Sequence, residues 1–430
     1  MAAFGGAVAF GVAAPIRPLA QEHVVVGESP DPKDIPLYTP SILRLAGGRL
    51  VATYERGGTA RQNNAAYAFV LTSDDHGLTW TQRAATHITH GRVFTAGKSI
   101  CFLGQRGDLQ IARSDDRGQT WTEPVALTKG QSWHQSACNV WHTRGHVYLV
   151  MERTTTKENK AWPVGSLAPV LLRAPETVDL TKRESWTFAS ELVFADLIAG
   201  YKQNEPALDL FGVPFFKQGY PDRAVVATAP VRRTMSPMGW LETNVVQFVD
   251  PDHYWFDPTG HTFHLFMRAH TGGTGYAALA KAVENADGTM TTQLESVPSG
   301  KKMLFLPFPG GQMRFHVLYD EQTKLYWLLS SQATDSMRRA DRLPPERYDL
   351  PNNERHRLVL HFSKNMVDWC FAGVVAITGS PKEARHYACM DFDGDDLVIL
   401  SRSGDARAKS AHDGNLITFH RVVNFRQLVY

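Results

Sequence analysis

Excess charge, paired cysteines and long apolar runs are all missing from this chain, and each absence closes a class of function. Lys and Arg total 45 against 43 Asp and Glu, a net charge of only +2. No basic run longer than a pair recurs, so the electrostatic footprint of a phosphate-backbone binder is lacking and no nucleic-acid partner is expected. The four cysteines, Cys101, Cys138, Cys370 and Cys389, stand singly inside apolar strand-like runs with none of the CxxC spacing of zinc or redox sites. They read as buried free thiols. The N-terminal stretch MAAFGGAVAFGVAAPIRPLAQEH is apolar but lacks the positive start of a secretory signal. Residues 1–21 are therefore expected to be an apolar arm or a signal remnant, with a periplasmic or secreted protein in the second case and a cytoplasmic one otherwise. Elsewhere nothing approaches the roughly 20 apolar residues of a membrane span, so no membrane partner is expected. Helix signals are few, turn signals are dense, and 43% of the residues are apolar. That composition predicts a large, mainly β core.

What the chain does contain is a repeated octapeptide. Ser73-Asp74-Asp75-His76-Gly77-Leu78-Thr79-Trp80 returns 41 residues later as Ser114-Asp115-Asp116-Arg117-Gly118-Gln119-Thr120-Trp121, with six of eight letters identical. Each copy follows a β-rich run (AYAFVLT, then DLQIAR) and ends in Trp, the pattern of a hairpin whose turn is tied by Asp side chains and opened by a Gly at positive φ. A period of this size signals a repeat architecture. The pattern S-x-D-x-G-x-T-W resembles the Asp-box of sialidases and their relatives. That resemblance implies an all-β chain, a six-bladed β-propeller of the sialidase type, with residues 22–430 as its single domain.

Six strand groups can be marked off along the chain. The first runs from LYTPSILRLAGGRLVATYER to the first box, and the second covers roughly 90–125. The third goes from WHQSACNVW to the degenerate turn before Trp186-Thr187, after which 188–238 is irregular apart from a short helix signal in ASELVFADLIAG. The fourth holds TFHLFMRAH and TGYAALAKAVE. The fifth holds FHVLYD, LYWLLSSQ and RLVLHFS, with a shortened box relative at Ser363–Trp369 and a charged excursion, MRRADRLPPERYDLPNNER, expected to be an exposed loop. The sixth runs from ARHYACMDF to LITFHRVVNF. A ring must close, so a strand from HVVVGES is expected to complete the last unit.

Four segments resemble the sialidase site. Tyr387, in Arg385-His386-Tyr387-Ala388, is similar to the tyrosine that attacks the anomeric carbon, and Glu242, in Trp240-Leu241-Glu242-Thr243, to its base. A phenol with a pKa near 10 is a weak nucleophile at neutral pH and needs such a base. Arg268 and Arg314 resemble two of the three arginines that clamp a substrate carboxylate, a task suited to the planar guanidinium fork. Two features depart from the family. Its Arg-Ile-Pro motif is replaced by Tyr38-Thr39-Pro40-Ser41, and the place of its acid/base Asp reads Arg61-Gln62-Asn63-Asn64. Arg153 or Arg385 is then the substitute clamp residue, with His270 nearby. The acid passes to His134, Glu152 or Glu205.

The resulting expectation is an exo-acting glycosidase on an acidic carbohydrate. The alternatives are a lyase or rhamnosidase acting on uronic-acid glycans through His134 with Tyr387 or Arg153, and a glycan-binding propeller without catalysis. His134 and His142 alternate onto one face but are about 26 Å apart along an extended strand, too far to share a sugar. His270, His316, His386 and His412 lack short two-His spacing and lie near arginines, so no metal or other cofactor is expected. The Asp-rich DFDGDD turn leaves a structural Ca²⁺ open.

Overall fold

The computed structural model describes residues 16–62, 65–155, 164–198, 239–271, 274–334, 353–380 and 383–430. The apolar runs of the sequence become six antiparallel sheets in chain order, each counted from its inner strand outward. Blade 1 begins at Leu37–Arg44, blade 2 at Thr89–Ala96, blade 3 at Trp133–His134, blade 4 at Gly239–Val246, blade 5 at His316–Asp320 and blade 6 at Ala384–Asp393. The architecture is a six-bladed β-propeller. Its last blade is completed by Val24–Glu28, which pairs with Leu416–Val422, so the expected N-terminal closing strand is present. Leu19 and Ala20 continue this docking by donating their amides to Val374 and Val375 of blade 5.

Strands in a propeller are apolar on both faces because each blade is sandwiched between two others. Six apolar clusters fill the six gaps, from the one between blades 6 and 1, which holds Val26, Leu37, Val398 and Phe419, to the one between blades 5 and 6 around Trp327. Trp327 is fully buried, and truncating a side chain of that size to alanine costs about 3–5 kcal/mol.

The two octapeptides fold alike. Ser73 Oγ donates to Asp75 and accepts from the Gly77 amide, while Asp75 accepts from both the amide and the hydroxyl of Thr79. Ser114, Asp116, Gly118 and Thr120 repeat every one of these bonds. In each, the Trp indole closes the turn on the Gly carbonyl, at 3.0 and 3.1 Å. The shortened turn at Ser363 keeps the serine bond and puts Asn365 in the acceptor role. The helix signal in ASELVFADLIAG is one turn, Phe194–Leu197, whose Phe194 ring packs edge-on against Trp240 at 5.3 Å. Among the described residues no helix is long and apolar enough to cross a membrane.

Inner strands also stitch directly to one another across the axis. Asn139 of blade 3 exchanges bonds with the Val245 backbone of blade 4, and Asn244 does the same with Phe315 and Val317 of blade 5. Arg314, ahead of blade 5, donates to the Ala388 carbonyl of blade 6, and Cys389 donates to Ala137 of blade 3.

Candidate active site

Four inner strands carry the same irregularity at the same end. The ladder slips between Tyr38 and Ser41, Thr89 and Arg92, Leu241 and Asn244, and His386 and Cys389. At each slip a non-glycine residue takes positive φ: Thr39 at 46°, His90 at 53°, Glu242 at 60° and Tyr387 at 49°. Such a bulge re-aims one side chain out of the pleat. It costs on the order of 1–3 kcal/mol per residue, most for β-branched Thr39, and such strain gathers at functional sites.

Two of the four residues, Glu242 and Tyr387, share one cation. Arg268, on the second strand of blade 4, donates through Nη1 to Tyr387 Oη at 2.6 Å and to Glu242 Oε2 at 3.4 Å. Its Nε is fixed on the Gln312 carbonyl at 2.8 Å. Ser136 donates to the other Glu242 oxygen at 3.4 Å. Burial raises the Tyr387 pKa; Arg268, Arg355 and Arg402 oppose the rise, whereas Glu242 adds to it.

Around the same ring lie two guanidinium groups that the sequence did not single out. Arg402, on the second strand of blade 6, sits 5.3 Å from the Tyr387 ring centre, and Arg355 sits 5.4 Å from it. Both are 4% exposed. Arg355 donates to His386 Nδ1 at 2.9 Å, and Arg402 donates to the His412 carbonyl while stacking 4.1 Å over Tyr38. Neither has a carboxylate partner among the described residues. Burial, with repulsion from Arg402 and Arg268, pulls Arg355 down to about 10, still protonated at neutral pH.

On the blade 1 side, Glu55 accepts from Thr39 Oγ1 at 3.1 Å and from the His90 amide at 3.1 Å, and Arg61 lies 3.2 Å away. Burial raises its carboxyl pKa against the pull of Arg61. His90 stacks edge-on against His134 at 5.3 Å. Burial, then the neighbouring His90, pushes His134 down to about 4.

The remaining sequence candidates lie apart from this group or turn away from it. Arg314 caps the backbone carbonyls of Tyr387 and Ala388 and contacts Cys389 Sγ at 2.8 Å, so its fork is spent behind the strand. Arg385 is likewise spent on the Ala384 and Gly404 carbonyls. Arg153 lies 5.7 Å over Trp133 and bonds the Ser132 carbonyl. His270 ends its strand opposite Gly239. Glu152 is enclosed by Thr243 and Gln135, and Glu205 lies outside the described residues. Of the expected exposed excursion, all but the last three residues lie outside the described residues, and Glu354 and Arg355 at its end are buried. Among the described residues no three His, Cys, Asp or Glu side chains are grouped to hold a metal.

No family model and no curated protein matches the sequence. Solved structures do match. A Hadza microbial sialidase superimposes with a TM-score of 0.54 at 14% identity, over 95% of this chain and 69% of that one. The α-L-arabinanase of Penicillium chrysogenum, complexed with arabinobiose, gives 0.50 at 12% identity over 95% and 99%. The α-L-arabinofuranosidase of Fusarium graminearum, also with arabinobiose, gives 0.50 at 11% over 96% and 100%. The fold is that of the sialidase-like propellers.

Within this sialidase-like propeller, the residues that sequence reasoning missed are Glu55, His90, Arg355 and Arg402. Only Arg402 left a trace, as a lone cation in the apolar run DLVILSRS, where an unpaired charge is costly to bury.

Proposed function

We propose that the chain is a glycoside hydrolase acting on an acidic sugar, with Tyr387 as nucleophile, Glu242 as its base, and Arg268, Arg355 and Arg402 as the anion-recognising group. The observation that carries this reading is the arrangement around the phenol: a 2.6 Å bond from Arg268, which also reaches Glu242, and two further buried guanidinium groups without a carboxylate partner among the described residues. Buried cations call for anions. We read the two matching octapeptide turns as Asp-boxes, and the three solved relatives bear the names of sugar-cleaving enzymes, which supports the class of reaction through the fold alone.

In this mechanism the Tyr387 proton passes to Glu242 as Oη bonds the anomeric carbon, and the bond to the leaving oxygen breaks. The three guanidinium groups favour the developing phenolate. Water then attacks the anomeric carbon, giving its proton back to the carboxylate that served as acid, while the tyrosyl oxygen departs and recovers its proton from Glu242. The leaving oxygen needs a proton. Held neutral at about 4, His134 is a poor donor, and Glu152 faces Thr243 in the wall. We assign the proton to Glu55, the carboxyl group on the blade 1 side of the mouth. Arg268 keeps its expected place in the clamp, Arg355 and Arg402 join it where Arg314 was expected, and Arg314 instead positions the Tyr387 backbone.

The test is Tyr387→Phe assayed on aryl glycosides of sialic acid, uronic acids and arabinose. Turnover of an acidic member by the parent protein, lost by at least 1,000-fold in the variant with the fold intact, is the expected outcome (roughly the scale of a lost nucleophile). Retained activity removes Tyr387 from the mechanism. A product with new ultraviolet absorbance from an unsaturated uronide would instead establish the lyase. The apolar N-terminal stretch is proposed to be a signal remnant, consistent with a glycan substrate outside the cytoplasm.

A further inference from the structure

Below the mouth, where the inner strands touch across the axis, two arginines are buried without any ion pair among the described residues. Arg92, on the inner strand of blade 2, donates to the carbonyls of Asn139 at 3.2 Å and Val150 at 2.8 Å; Arg314 caps the strand of blade 6. Each is 1% exposed. Of the groups of opposite sign around them, Glu242 approaches Arg314 from the mouth, and the others are weakly ionised. Burial pushes Glu152 up to about 8 and Cys138 up to about 12, and it raises Cys389 as well.

The hydrogen-bond inventory at this level is lopsided in the same direction. Arg92 Nε and Arg314 Nε are buried donors without acceptors. His316 Nδ1 and Glu152 Oε2 also lack partners. His316 is kept neutral by burial beside Arg314 and Arg92, so it offers one N–H. A largely protonated Glu152 offers one O–H. Buried donors in native proteins are normally satisfied, and an unmatched group of them on and beside two buried arginines describes a site for an acceptor that carries negative charge.

We propose that the waist of the axial channel binds a small inorganic anion, a halide such as chloride, between Arg92 and Arg314. The anion neutralises two cations that reach blades 2, 3, 5 and 6 and thereby locks the centre of the ring. Because Arg314 holds the Tyr387 and Ala388 carbonyls, the same anion fixes the strand that presents Tyr387. This site lies behind the strand that presents Tyr387, with the Arg314 guanidinium 5.9 Å from the Tyr387 ring centre, and stands whether or not the hydrolase reading does.

The experiment compares thermal unfolding of the full-length protein in sodium chloride and in sodium gluconate at equal ionic strength, with bromide-soaked crystals measured by anomalous scattering. Chloride at tenfold its dissociation constant should raise the midpoint by roughly 1.5 °C and then saturate, given typical unfolding entropies for a chain of this size. Arg92→Met should abolish the difference between the two salts. A bromide peak beside Arg92 and Arg314 supports the proposal even if that variant fails to fold. Identical midpoints in both salts, an unsaturating rise, or bromide found only on the outer surface would overturn it.

Discussion

Arg402→Met isolates the electrostatic argument at the mouth. The guanidinium carbon lies 5.3 Å from the Tyr387 ring centre, and the side chain is buried. With an effective dielectric of about 20, a unit cation at that distance favours the phenolate by about 3 kcal/mol. If half the negative charge has developed at the transition state, the loss is about 1.5 kcal/mol, or roughly tenfold in turnover. The ground-state effect needs no substrate. Removing a cation disfavours the ionised phenol, so Tyr387 must titrate at a higher pH than in the parent protein. Ultraviolet difference titration isolates it when the Arg402→Met spectrum is compared with that of the variant carrying Tyr387→Phe as well. Arg153→Met is the control, since its guanidinium sits over Trp133. An unmoved phenol titration, or an equal shift in the control, would refute the claim that these arginines set the acidity of Tyr387.

Two further predictions follow from other parts of the structure. Glu284 gathers Arg144, Arg173, His261 and Tyr148 at 2.5–2.9 Å, joining blades 3 and 4. Its pKa falls from 4.5 to about 2: burial works against the shift, and the bonds from Arg173, His261 and Arg144 outweigh it. That difference corresponds to about 3 kcal/mol, reduced to about 2 because Arg144 and His261 are partly solvated. Since the folded pKa is depressed, the contribution is present above pH 4.5 and fades as pH falls through about 2. Glu284→Gln should therefore unfold at lower urea than the parent near pH 7, with the gap closing in acid; a gap independent of pH contradicts the assignment. Glu55→Gln should cut turnover by about 100-fold for glycosides with poor leaving groups and leave activated aryl glycosides within about threefold, because those need no proton. Equal losses on both would point to a structural role.

The fold was legible because its signals are local. Asp-tied turns, period-two strands and a repeat of fixed length each constrain neighbouring residues, and together they marked all six units and the closing strand. Tyr387, Glu242 and Arg268 lie at inner-strand or second-strand positions where unit boundaries predict proximity, and the structure does bring them together. Arg355 was hidden for the opposite reason. It ends a charged, Pro-containing stretch whose composition says solvent, and nothing in that composition marks the one arginine that is buried. Arg314 illustrates a second limit: sequence placed it at the right blade, but the bulge at Tyr387 leaves carbonyls that capture its fork first. The bulges themselves have no letter code here, because Thr, His, Glu and Tyr occupy conformations usually left to glycine.

Closure of the ring by Val24–Glu28 has a consequence for biogenesis. The partner of this early segment, Leu416–Val422, lies nearly the whole propeller further along the chain. A ribosome-bound intermediate can assemble five blades and still present a raw sheet edge at either side of the gap. Completion therefore waits until both strands are available, and removal of either one should spring the toroid open instead of trimming it.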